Sequence, residues 1–129
     1  MKRHEQAMEF LAKAAEDEAL VDEVLGSPRV ADAIIGLHCQ QAAEKLLKAV
    51  LPELGLPFRR THDLRELMDL LSDAGHRLPR TLAGLDRLTP CATLFRYEGL
   101  PVKASLDRRK ARGNVCRLRR WAEGKTGPA

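Results

Sequence analysis

At 129 residues the chain has room for one hydrophobic core and not for two independent ones. Three Phe, one Tyr and one Trp are its only aromatics, amid abundant Leu and Ala, which disfavours a β-sandwich and points to an all-α protein. The net charge of +4 is unevenly spread: residues 1–58 carry six basic and ten acidic side chains, residues 59–102 seven and six, and residues 103–129 nine and two. Such a basic end suits nucleic-acid phosphates or an acidic protein, and equally suits a solvated helix face.

Ala7, Phe10, Leu11, Ala14, Val21, Val24 and Leu25 recur at three- and four-residue steps opposite a run of acids, predicting an amphipathic helix over residues 4–25. Gly26 ends it. Ser27 and Pro28 then read as an N-cap and first-turn proline, so a second helix is expected over residues 28–54 after a tight hairpin. Its stretch GLHCQQAAEKLLKAVL is apolar on several sides, which implies burial from more than one direction. Gly55 and Pro57 break it, and THDL opens a third helix with Thr61 as cap and Leu64, Leu67, Met68 and Leu71 inward. After Gly75, the spacing of Leu78, Leu82, Leu85 and Leu88 predicts a fourth helix that Pro90 must interrupt. EGLPVKAS reads as a loop. A last helix over residues 105–122 turns Leu106, Ala111, Val115, Leu118 and Trp121 or Ala122 inward, with Gly113 weakening it by about 1 kcal/mol relative to Ala. GKTGPA reads as a frayed end, giving one domain over residues 1–125 and a disordered tail over 126–129.

The three cysteines are widely spaced and form no CxxC pair, so neither a disulfide framework nor a zinc site is expected. The N-terminus lacks the apolar core of a signal peptide, and no stretch is long enough to span a bilayer. A cytoplasmic protein without membrane association is expected. Nucleotide-binding glycine patterns, HExxH and GxSxG are all absent. The four histidines stand apart from carboxylates and cysteines at ligand spacing, so no metal or other cofactor is expected.

His38, Gln41 and Lys45 share one stripe of the second helix beside its apolar face. They suit either a boundary between core and water or the polar lining of a groove. His62, at the mouth of the third helix, suits backbone capping or a site. Arg96 and Tyr97 place a guanidinium beside a phenol ahead of a glycine-containing loop, a pair able to grip a phosphate and stack on a base, or else to form an ion pair and fill the bundle's end.

The runs LHCQQAAEKLLKAVL, THDLRELMDLL and LTPCATLFRYEG together resemble the HEPN domain family over about residues 5–122. The resemblance implies an up-and-down bundle of four or five helices that forms a homodimer. It also implies RNA or nucleotide as ligand, and a minimal nucleotidyltransferase as partner in a toxin–antitoxin pair. Active members cleave RNA without metal, using an arginine followed after four to six residues by a histidine. Arg96 stands where that arginine is expected, but Pro101 follows four residues later and no histidine occurs beyond His76. Tyr97 also replaces the asparagine or similar polar residue that often follows the arginine. The expected function is therefore RNA, nucleotide or partner binding without the standard ribonuclease activity, through Arg96, Tyr97, His62, His38, Gln41 and Lys45. A ribonuclease using the displaced His62 with Arg96 is the main alternative, and a structural dimerisation domain the second.

Overall fold

The second helix is apolar around most of its circumference, and a helix of that kind must be enclosed. In the computed structural model, which describes residues 2–89 and 106–127, it is the central element. The described residues form α1 (Lys2–Val24), α2 (Asp32–Glu53), α3 (Leu64–Asp73) and α4 (Arg108–Thr126), with two 3₁₀ turns at Arg80–Leu82 and Leu85–Leu88 and no strand. The protein is all-helical, as its composition predicts. Fourteen of the 22 residues of α2 are buried, because α1, α4, α3 and the second 3₁₀ turn all pack on it. The antiparallel course of α1 and α2 follows from their pairs: His4 meets Glu53 at one end and Asp17 meets His38 further along. No helix among the described residues is long and apolar enough to cross a membrane.

The inward residues of the third helix are those the periodicity selects, Leu64, Leu67, Met68 and Leu71, and so are Ala111, Val115, Leu118 and Ala122 in α4, whereas Leu106 precedes α4, which begins at Arg108, and is only partly buried. Element starts differ more. Residues 28–31 do not join α2, and the Ser27 hydroxyl accepts from the Arg29 amide rather than capping a helix. The reason lies in α4: Arg108 donates to the carbonyls of Leu25, Ser27 and Val30 and to the Asp32 carboxylate. That guanidinium consumes carbonyls that a continuing helix would use itself.

The cap of α3 is Asp63 rather than Thr61: its Oδ1 accepts from the Arg65 amide, while Thr61 Oγ1 accepts from the Asp63 amide one step earlier. Gly75, at φ 88°, closes the helix, with the His76 amide donating to the Leu71 carbonyl. Leu82, Leu85 and Leu88 lie on two 3₁₀ turns, not one α-helix. Their strict three-residue spacing is the 3₁₀ period, and it buries all three on one side. At the far end α4 continues through Gly124 to Thr126, where the sequence reads as frayed. Lys125 lies 5.7 Å from the Trp121 ring centroid and Thr126 is buried, so this last turn has packing to hold it.

Candidate functional site

Gln40, Glu44 and Lys48 follow one another at i, i+4 and i+8 on α2 and form a polar stripe within its buried surface. A charge so placed must be paired. Glu44 Oε2 accepts from Lys48 Nζ at 2.9 Å, and Oε1 accepts from Gln40 Nε2 at 3.2 Å. The third partner comes from another element: His62, in the loop before α3, lies with Nδ1 2.9 Å from Glu44 Oε1. An ionised carboxylate can only accept, so Nδ1 carries a proton, and Nε2 is the nitrogen that faces away from Glu44. Gln40 Nε2 also donates to the His62 carbonyl at 2.9 Å, fixing the backbone of the same residue. With two acceptors on Nε2 the amide orientation is set, and Gln40 Oε1 is a buried acceptor without a hydrogen-bond partner.

The His62 side chain is 53% exposed while that of Glu44 is 10% exposed. A buried carboxylate orienting an exposed imidazole is an arrangement that can take up or deliver a proton at Nε2. The Leu64 amide donates to Thr89 Oγ1 at 3.2 Å, so the start of α3, two residues after His62, sits against Thr89. Arg96 and Tyr97 themselves lie outside the described residues.

His38 and Lys45 do share a stripe, and the structure gives both the same partner. Asp17, buried on α1, accepts from His38 Nδ1 at 3.0 Å and from Lys45 Nζ at 2.6 Å. They serve the α1–α2 contact as boundary residues. Gln41 is half-buried on that side. His38, Gln41 and Lys45 therefore lie on a different stripe of α2 from the residues that hold His62. The sequence reading passed over Glu44 and Lys48, although charged residues four apart on a helix apolar almost all round were a usable signal. The capping role considered for His62 is filled by Asp63 instead.

The basic last helix is only partly available to an outside anion. Arg112 binds Asp22 and Glu18, and Arg119 binds Glu18 and donates to the Leu11 carbonyl. With Arg108 on the α1–α2 link, three of its arginines serve as internal fastenings. Hydrogen bonding to Arg112 holds the Asp22 carboxyl below the usual carboxylate range, and hydrogen bonding to Arg108 does the same for Asp32. Arg109, Lys110, Arg117 and Arg120 remain exposed on the outer face. No group of three His, Cys, Asp or Glu side chains among the described residues is arranged to hold a metal ion.

Compared with known proteins, residues 30–125 match the model of the HEPN domain. No curated protein and no solved structure matches the chain. The matched span includes α2, the His62 loop and α4, and it begins after α1, which supplies Asp17 and Glu18.

Proposed function

Since the chain belongs to the HEPN domain family, we propose that it is a binding module for RNA or nucleotide that lacks the family's usual ribonuclease activity. Arg96 is the phosphate anchor and Tyr97 the stacking group, with His62 as a further polar contact and the exposed cations of α4 adding sequence-independent attraction. The observation that carries the reading is the position of His62: exposed, oriented by buried Glu44, and two residues before Leu64, whose amide is bonded to Thr89, seven residues before Arg96 in the chain. The missing histidine after Arg96 argues against cleavage by the usual pair. A homodimer and a minimal nucleotidyltransferase partner, encoded together as a toxin–antitoxin pair, complete the proposal.

The test is fluorescence anisotropy with a short single-stranded RNA at low salt, in the presence of chelator. Salt-sensitive binding of intact RNA is expected, and Arg96→Ala should weaken it about tenfold, the value of one charge-assisted phosphate contact. No binding at low salt, or an Arg96→Ala protein equal to the parent, overturns the reading.

One observation favours a second reading. The Glu44–His62 pair leaves Nε2 placed as a general base for a ribose 2′-hydroxyl, whose oxygen attacks the adjacent phosphorus as the P–O5′ bond breaks and the 5′-oxygen takes a proton from water, with Arg96 stabilising charge on the phosphate. Metal-independent cleavage lost in both His62→Ala and Arg96→Ala would establish it, and intact RNA at high protein concentration would dismiss it.

A further inference from the structure

Where the first turns of α1 meet the last turn of α2 and the loop beyond it, the surface opens into a groove of about 710 Å³. Ligand sites for small molecules have volumes of this order. Its charge is one-sided. Arg3, Lys48 and Arg60 line it, and no carboxylate does. Arg3 and Arg60 form no ion pair with any described residue, in contrast to the paired arginines of α4. Lys48 gives one of its three donors to Glu44 and keeps the others.

The groove also has an apolar part. Phe10 and Phe58 line it, with ring centroids 6.5 Å apart and planes tilted by 59°. A glycine permits the approach of the first cation. Gly55 has φ 72°, and a Cβ there would stand 2.9 Å from Arg3 Nη1, so the guanidinium lies directly against backbone that any other residue would cover. Arg3 near the end of α2 is favourable on dipole grounds alone. That accounts for neither the guanidinium of Arg60, unpaired among the described residues, and the spare donors of Lys48 nor the two phenyl rings beside them.

We infer that this groove binds a small phosphate-bearing molecule carrying an aromatic ring, the phosphate among Arg3, Lys48 and Arg60 and the ring against Phe10 and Phe58. The site goes beyond the proposed RNA-binding role and depends on neither Arg96 nor His62. Guanidinium and ammonium donors to a phosphate form strong charge-assisted hydrogen bonds. Ring contact adds an offset or edge-to-face aromatic interaction.

The experiment uses the full ¹⁵N-labelled chain titrated with phenyl phosphate, inorganic phosphate and benzyl alcohol, following the amides of Gly55 and Phe58. Phenyl phosphate should shift both in a saturable way and bind about fivefold tighter than inorganic phosphate, with benzyl alcohol without effect. Arg60→Gln, an exposed change, should weaken phenyl phosphate about fivefold, while Arg117→Gln on α4 leaves it unchanged. Phe58→Leu should bring phenyl phosphate down to the affinity of inorganic phosphate. The inference is overturned if neither amide moves by about 10 mM phenyl phosphate, if phosphate and phenyl phosphate bind equally, or if Arg60→Gln binds as the parent does. RNA binding through Arg96 is read separately and can fail or succeed independently of these results.

Discussion

Two trios of the same composition, each an acid, an imidazole and a lysine, flank α2, and they are wired differently. In one, Asp17 comes from α1 while His38 and Lys45 both come from α2. In the other, Glu44 and Lys48 both belong to α2 and only His62 comes from elsewhere. The carboxylates are similarly buried, but exposure is exchanged between their partners: Lys45 is 28% exposed and His38 26%, against 10% for Lys48 and 53% for His62. The first trio fastens two helices and keeps both His38 and Lys45 near water. The second hides its cation and holds an imidazole outward. The same three kinds of group thus give a structural clasp in one place and an oriented, accessible imidazole in another.

Removing each acid separates the two designs most sharply. Glu44→Ala strands a largely buried ammonium and should cost about 3 kcal/mol, because Lys48, whose side chain is only 10% exposed at the groove wall, loses its ion pair. Replacing both members by apolar residues, Glu44→Leu with Lys48→Met, should recover most of that loss, since desolvation of the pair offsets much of its attraction. Asp17→Ala should cost less, about 2 kcal/mol, because His38 and Lys45 can both rehydrate. Urea denaturation of the four proteins checks the order; equal losses for Glu44→Ala and Asp17→Ala would mean that burial of the lysine is not what distinguishes the trios.

The imidazoles should show the reverse. His38→Ala removes a half-buried hydrogen bond across the α1–α2 seam and should lower stability by about 1 kcal/mol. His62→Ala removes an exposed ring and should lower it by no more than about 0.5 kcal/mol, while Glu44 keeps Lys48 and Gln40 as partners. Thermal midpoints measured beside RNA binding decide whether the roles divide this way: His62→Ala should change RNA affinity and His38→Ala should not.

Much of this was legible because periodicity reports the core directly. Leu64, Leu67, Met68 and Leu71 are buried as their spacing requires, and so are Ala111, Val115, Leu118 and Ala122. What the sequence did not disclose depends on residues far apart in the chain. Ser-Pro at 27–28 is a sound local start signal, but Arg108, some eighty residues later, claims the carbonyls around it. The stripe of His38, Gln41 and Lys45 was visible, yet its partner Asp17 lies on another helix. His62 could be singled out, and Glu44 with Lys48 on a largely apolar helix signals a buried pair, but that this pair orients His62 depends on a loop 18 residues away in the chain. The bases of α4 could be counted, whereas their division into fastenings and free cations rests on the acids of α1.

A further contrast separates both buried trios from the acids at the bundle's rim, and acid titration sharpens it. Asp22 and Asp32 have folded-state carboxyl pKa values below the ordinary Asp value, through hydrogen bonds from Arg112 and Arg108 respectively, with the Leu106 amide assisting at Asp32. A depressed folded value means that the unfolded chain binds the proton more readily. The contribution to stability is therefore complete above the unfolded Asp value of about 4 and is lost as the pH falls through the lower folded values. Both carboxylates are near solvent, so the effect is the smallest predicted here. Arg108→Gln and Arg112→Gln should each reduce stability at neutral pH and flatten its decline below about pH 4, where the parent is losing the same pairs. An unchanged acid slope in both variants would transfer the acid sensitivity from these rim pairs to the buried acids of α1 and α2.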